Sequence, residues 1–208
     1  MPFFGFIPSE ELLNTIQTAQ AKKNSSEPLY PFRDKTALLI NDEIIDAILT
    51  ELVRRFPPSE KRDTAEKLAR YVKSTVAVLL KQLLSKVPND IAKQSIEFSN
   101  DSLFKDSNNI IRVGEKLDSG LVTNLKTTYS EIKSGQDVNK SALAELYKQF
   151  AEATVRHFMH DFNKTLDLGM IKRKAADIGS AAVVKAVHIA IDKIFLNLNK
   201  DELLVLAL

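Results

Sequence analysis

The side chains able to do acid–base or metal chemistry gather in the last third of this chain. All three histidines, His157, His160 and His188, lie there, and no cysteine exists to supply a thiolate ligand, a nucleophile or a disulfide. The first constellation is His157-Phe158-Met159-His160-Asp161. On a helix the i, i+4 spacing brings His157 and Asp161 to one face, where they could hold a metal or act as an oriented general base. A helical wheel puts Asp161 within the arc of Leu143, Tyr147, Phe150 and Phe158. A carboxylate facing a core needs a partner, because an unpaired buried charge is expensive. A purely structural pairing, with His157 or with a Lys or Arg of a neighbouring helix, would meet that need equally well. His160 falls on the polar side, three residues from His157. That spacing suits a shared metal less well than the i, i+4 histidines of an H-E-x-x-H helix.

The second constellation is Lys185, His188 and Asp192, at i, i+3 and i+7 and within about 60° of one another on the wheel. It could be a polar seam lining a cleft, with His188 and Asp192 as base and orienting acid. It could equally be a solvent-facing stripe with an ordinary His–Asp contact. In a hairpin pivoting near Gly169, Asp161 and His188 stand about 16 Å apart along the axis at 1.5 Å per residue. The expectation is therefore dispersal, with ionisable groups in ones and twos and no catalytic residue assigned.

The dipeptide His160-Asp161 resembles the His-Asp pair of the all-helical HD-type phosphohydrolases over those two residues alone. The upstream histidine of that family has no counterpart, since no His precedes His157. No function is carried across.

Two features point outward. Phe3, Phe4 and Phe6 precede the first helix, and an aromatic start can fold back, dock on a partner or insert at a lipid surface. Lys172-Arg173-Lys174 opens the last long helix, where positive charge opposes the macrodipole. Joined to Lys61, Arg62, Lys67, Arg70 and Lys73, it could form a basic face. Gly179, Ala182, Ala186 and Ala190 would let a second helix approach closely, within the chain or between copies.

The elements that must position these groups read as helices. One is predicted from Ser9 to about Lys23, followed by a Pro-containing connection over 24–35, NSSEPLYPFRDK. Amphipathic helices follow over 36–56 and, past Pro57-Pro58, to about Val87. A short helix to Phe98 and a polar loop over 99–109 lead into apolar positions 110–132 at helical spacing, with Gly114 and Gly120 as points of kink or break. Long helices over 138–166 and 170–197 complete the chain. The predicted fold is all-α: one domain over 1–208, six or seven helices with mostly antiparallel neighbours, and 1–8 as a possible docking arm.

Composition agrees with a packed domain: 44% of 208 residues are hydrophobic and 11 are Phe, enough for a core without staples. A net charge of +2 argues against tracking a phosphate backbone and so against nucleic acid. Lys185, His188, Asp192 and Lys193 inside the most apolar stretch argue against a membrane span. With no secretory signal pattern, the expected location is cytoplasmic. The expected function is a non-catalytic interaction module without cofactor, acting through a protein partner, self-association or peripheral contact with an anionic membrane. The alternatives are a metal-binding or hydrolytic bundle at His157/Asp161 or His188/Asp192, and a carrier of a small apolar ligand.

Overall fold

The computed structural model describes residues 2–207; Met1 of the arm and Leu208 of the tail lie outside the described residues. Helix α1 (Glu10–Lys22) starts where the Ser9 hydroxyl accepts the Leu12 N–H, and it buries Leu12, Ile16 and Ala19. Helix α2 (Tyr30–Ile45) begins inside the predicted connection, because Pro31 supplies a φ already suited to the first turn. It runs on through a π-helical turn, Asp46–Thr50, into α3 (Glu51–Arg54). The Tyr147 hydroxyl donates to the Ile48 carbonyl inside that turn at 3.2 Å. Past Pro57 and Pro58, Ser59 caps α4 (Glu60–Leu83), and α5 (Asn89–Asp101) follows.

The chain is mostly helical, as expected, and here adds one small sheet to the helices. Leu103–Lys105 (β2) and Ile111–Lys116 (β3) form an antiparallel hairpin, and Phe3–Phe6 (β1) pairs with the other edge of β3, giving the order β1-β3-β2. The stretch 110–117 was expected to be helical from its i, i+3, i+4 spacing. Its alternation of Ile111, Val113 and Glu115 fits a strand equally, and the turn chemistry decides between them. Asp106 accepts the backbone N–H groups of Asn108 and Ile110, and Asn109 takes a left-handed φ of 62°. Gly114 is required by close approach, since a Cβ there would strike the Phe4 carbonyl of β1. Residues 3–6, read as part of a possible docking arm, are therefore a sheet edge. The register Phe4↔Glu115 and Phe6↔Val113 sends these four side chains to one face.

The remaining helices are α6 (Ser119–Lys133), α7 (Lys140–Val155), a second π turn at Arg156–Asp161, α8 (Phe162–Lys164), α9 (Met170–Phe195) and α10 (Lys200–Ala207). Contacts pass from neighbour to neighbour: α1 and α5 on α2, α2 on α4, α4 on α9, α9 on α7, α7 on α6, and α6 on α10. α9 is thus flanked by α4 and α7. Leu79 lies against Gly179, where a Cβ would meet its methyls at 2.5 Å, and Lys61 donates to the Asn197 carbonyl. Two such contacts fix α4 and α9 as running in opposite directions. No described helix is long and apolar enough to cross a membrane.

Candidate functional site

The second π turn is where the predicted chemistry lies, and it is two-sided. A π turn inserts a residue into the α-helical register and is often found at functional sites. Here it directs His157 inward to the sheet and puts Arg156 and His160 on the groove facing α9.

On the inner side His157 does not meet Asp161. Its ring stacks on Phe98 at 4.9 Å and meets Phe158 edge-on at 4.6 Å. Its Nε2 lies 3.1 Å from the Ser102 hydroxyl, which donates its own proton to the Phe98 carbonyl at 3.0 Å. That commitment makes the hydroxyl oxygen the acceptor and assigns the ring proton to Nε2. Nδ1 is left facing Glu115 Oε2 at 4.0 Å, beyond a direct hydrogen bond. Glu115 comes from β3 on the face shared with Phe4, its side chain 9% exposed and its Oε1 buried without a partner. Burial and the charge of Asp161 push its pKa up to about 8, against smaller lowering by Thr154 and Arg156. Burial lowers the His157 pKa, offset in part by Asp161. Burial thus disfavours the charged form of both groups, which is how a low-dielectric junction tolerates them.

Sequence reasoning missed Glu115 and Ser102. The residue-by-residue signal for Glu115 was the alternation on β3, and it competed with an equally good helical spacing.

On the outer side a groove of about 590 Å³ runs between the π turn and α9, lined among others by Glu152, Arg156, His160, Asp161, Lys164 and Asp177. This corrects the expected dispersal, because the π turn and the α7–α9 packing bring six ionisable groups onto one groove. Most are already matched. Asp161 takes Lys164 at 2.7 Å, and His160 lies 4.0 Å from Asp177. Glu152 stands 3.0 Å from His188 Nε2, out of line for a hydrogen bond. Farther along the same seam Lys148 takes Asp192 at 2.7 Å. The predicted i, i+4 pairs, His157 with Asp161 and His188 with Asp192, are thus replaced by contacts to other residues. Lys185 is exposed, and Arg156 has no acidic partner within 4 Å among the described residues. No three His, Asp or Glu side chains converge as a metal-binding group among the described residues.

The outward-pointing features part company. Phe6 is buried, Phe4 packs edge-on against Phe150 at 4.6 Å, and Phe3 lies half-exposed on Phe104 at 4.7 Å. Lys172, Arg173 and Lys174 are all exposed, and none has an acidic partner within 4 Å among the described residues. Directly before them stand Met170, 88% exposed, and Ile171, 86% exposed. Ile178 is 64% exposed, and Val78 of α4, beside the Leu79–Gly179 contact, is 52% exposed. The wider basic face does not form. Lys61 sits at the Asn197 end of α9, about 35 Å from Lys174 at 1.5 Å per residue. Lys73 is held by Asp42 and Asp46, and Arg62 and Arg70 share Glu66.

No family model, curated protein or solved structure matches this chain.

Proposed function

We propose that this protein is a non-catalytic helical module that docks on an anionic membrane surface through the N-terminal tip of α9. The observation that carries this reading is the adjacency of two almost fully exposed apolar residues, Met170 and Ile171, to three unpaired cations, Lys172, Arg173 and Lys174. Large apolar side chains exposed in sequence are costly in water unless something covers them. Burying such a side chain contributes roughly 1.5–3 kcal/mol, and each Lys or Arg near an anionic leaflet about 1 kcal/mol. The tip follows the turn at Gly169, and its charge complements an anionic lipid surface. The cations also oppose the macrodipole of their own helix, a local cost that a negative surface would relieve.

A hydrolytic reading has the Ser102–His157–Glu115 line in its favour. Yet Ser102 is 3% exposed, its proton is committed to Phe98, and Glu115 is 4.0 Å from the imidazole. The Ser102 hydroxyl is therefore not presented to a substrate.

Co-sedimentation with vesicles tests the proposal. The wild type is expected to bind vesicles containing about one-third anionic lipid, to ignore zwitterionic ones, and to weaken as salt screens the surface. Ile171→Asp and Lys172→Glu/Lys174→Glu should each reduce binding at least about tenfold, in line with the energies above. Wild-type binding that neither variant alters would sink the reading. So would a dimer that Ile171→Asp dissociates without any vesicle binding, which would make a second copy the occupant.

A further inference from the structure

Resting on that docking reading, we infer that the cavity beside the α9 tip receives the phosphomonoester headgroup of a single anionic lipid. The cavity, about 380 Å³, lies under the turn that leads to Met170. Buried Leu166, Leu168 and Ala176 give it an apolar part, and exposed His160, Lys164 and Arg173 line it together with Asp177, one turn along α9 from Arg173 and 4.0 Å from His160. The size falls in the range of small-molecule pockets, and the mixture of apolar floor and few convergent polar groups is typical of them.

Several features favour a phosphate held at the lipid surface as the ligand. Arg173 belongs both to the exposed triad and to the cavity wall, so the two surfaces are continuous. Its one polar contact among the described residues is a long one, to the Leu168 carbonyl at 3.4 Å, which leaves the guanidinium fork available for a bidentate oxyanion. Lys164 of α8 lines the same cavity, its ammonium resting on Asp161 at 2.7 Å, from which an oxyanion would have to draw it. The neighbouring groove, which shares His160, Lys164 and Asp177, adds Arg156, without an acidic partner within 4 Å among the described residues. The Asn163 side-chain oxygen in the same wall is buried with no donor, a demand that the P–OH of a singly protonated phosphomonoester would meet. A phosphomonoester carries a charge of about −1.5 to −2 and matches several cations better than a diester does.

The experiment compares vesicles of equal surface charge, one set made anionic with phosphatidylserine and the other with phosphatidic acid. Wild type is expected to bind the phosphatidic acid set about tenfold more tightly. His160→Gln/Lys164→Gln, which leaves the tip triad untouched, should bind both sets equally, at the wild-type affinity for phosphatidylserine. Arg173→Gln serves as a second variant, and an unchanged thermal melt shows that each is folded. Equal wild-type binding to both sets would overturn the inference while leaving the docking reading in place. A preference that survives in both variants would also overturn it, as would full competition by soluble glycerol phosphate at the lipid's own concentration. Wild-type binding to neither set would remove the inference and the reading together.

Discussion

The inner junction at Glu115 and the outer tip at Met170 invert the usual partition of side chains in opposite ways. At the junction a carboxyl group is taken out of water, with one oxygen unpartnered and an imidazole 4.0 Å away. At the tip two large apolar side chains are left in water beside three unpaired cations. The junction solves its problem internally, by disfavouring the charged form of both groups within a wall of Phe98, Phe158 and the sheet. The tip has no internal solution. Met170 and Ile171 gain no apolar cover from the chain, and that asymmetry is what the docking proposal rests on.

The comparison can be broken most forcefully at the sheet. Gly114→Val puts a side chain where β1's Phe4 carbonyl stands, and should cost about 3 kcal/mol, the upper range for overpacking. Urea unfolding measures the loss, and fast hydrogen exchange over residues 3–6 would show β1 released. Vesicle binding by the folded fraction should persist, since the tip lies elsewhere.

Glu115→Gln sharpens the contrast. Because the folded-state pKa of Glu115 is raised from 4.5 to about 8, its contribution is most favourable below pH 4.5 and is lost progressively as pH rises to about 8. After a discount for partial exposure and screening, the neutral isostere should gain on the order of 2 kcal/mol at pH 8 and little at pH 4. His157 has the opposite sign. Its lowered pKa gives stability that is present above pH 6.5 and lost as pH falls through the depressed value. Glu115→Gln should therefore flatten the alkaline limb of stability against pH and leave the acid limb in place. An alkaline limb that stays unchanged would show that Glu115 is not held neutral.

The smallest expected effect separates the regions most cleanly. Lys172→Glu/Lys174→Glu removes charges that oppose the α9 macrodipole, and should stabilise the fold by about 0.3–1 kcal/mol per site while weakening vesicle binding at least about tenfold. A variant that is both less stable and fully binding would contradict the view of the tip.

Much of the helical frame was legible in the sequence because caps and stops are local. Ser9 and Ser59 each accept an N–H three residues on, and Pro57-Pro58 ends the helix before them, all readable within a few positions. The sheet was not legible, because its decisive contact joins Phe4 to Glu115, residues far apart in the chain. Helical spacing over 110–132 was real, yet the Asn108-Asn109 turn and the close approach at Gly114 overrode it. The partners of the histidines failed for a related reason. A helical wheel assumes 3.6 residues per turn, and the π turn at Arg156–Asp161 shifts that register just where His157 and Asp161 were paired. For His188 and Asp192 the competing partners were Glu152 and Lys148 on α7, which no intrahelical rule can supply. The Lys172–Lys174 run was visible as charge, whereas the exposure of Met170 and Ile171 beside it needed coordinates.

The pairing of β1 with β3 sets a timetable for synthesis. Phe3, Phe4 and Phe6 leave the ribosome well before their partner strand, which follows roughly 110 residues later, about 5–20 s at ordinary elongation rates. Throughout that interval three aromatic side chains and an unpaired backbone edge have nothing native to hold. Until Ile111–Lys116 emerges, the nascent segment is a natural substrate for a ribosome-associated holdase. Slowing translation after α1 should lengthen that vulnerable period more than any mutation in the helical core would.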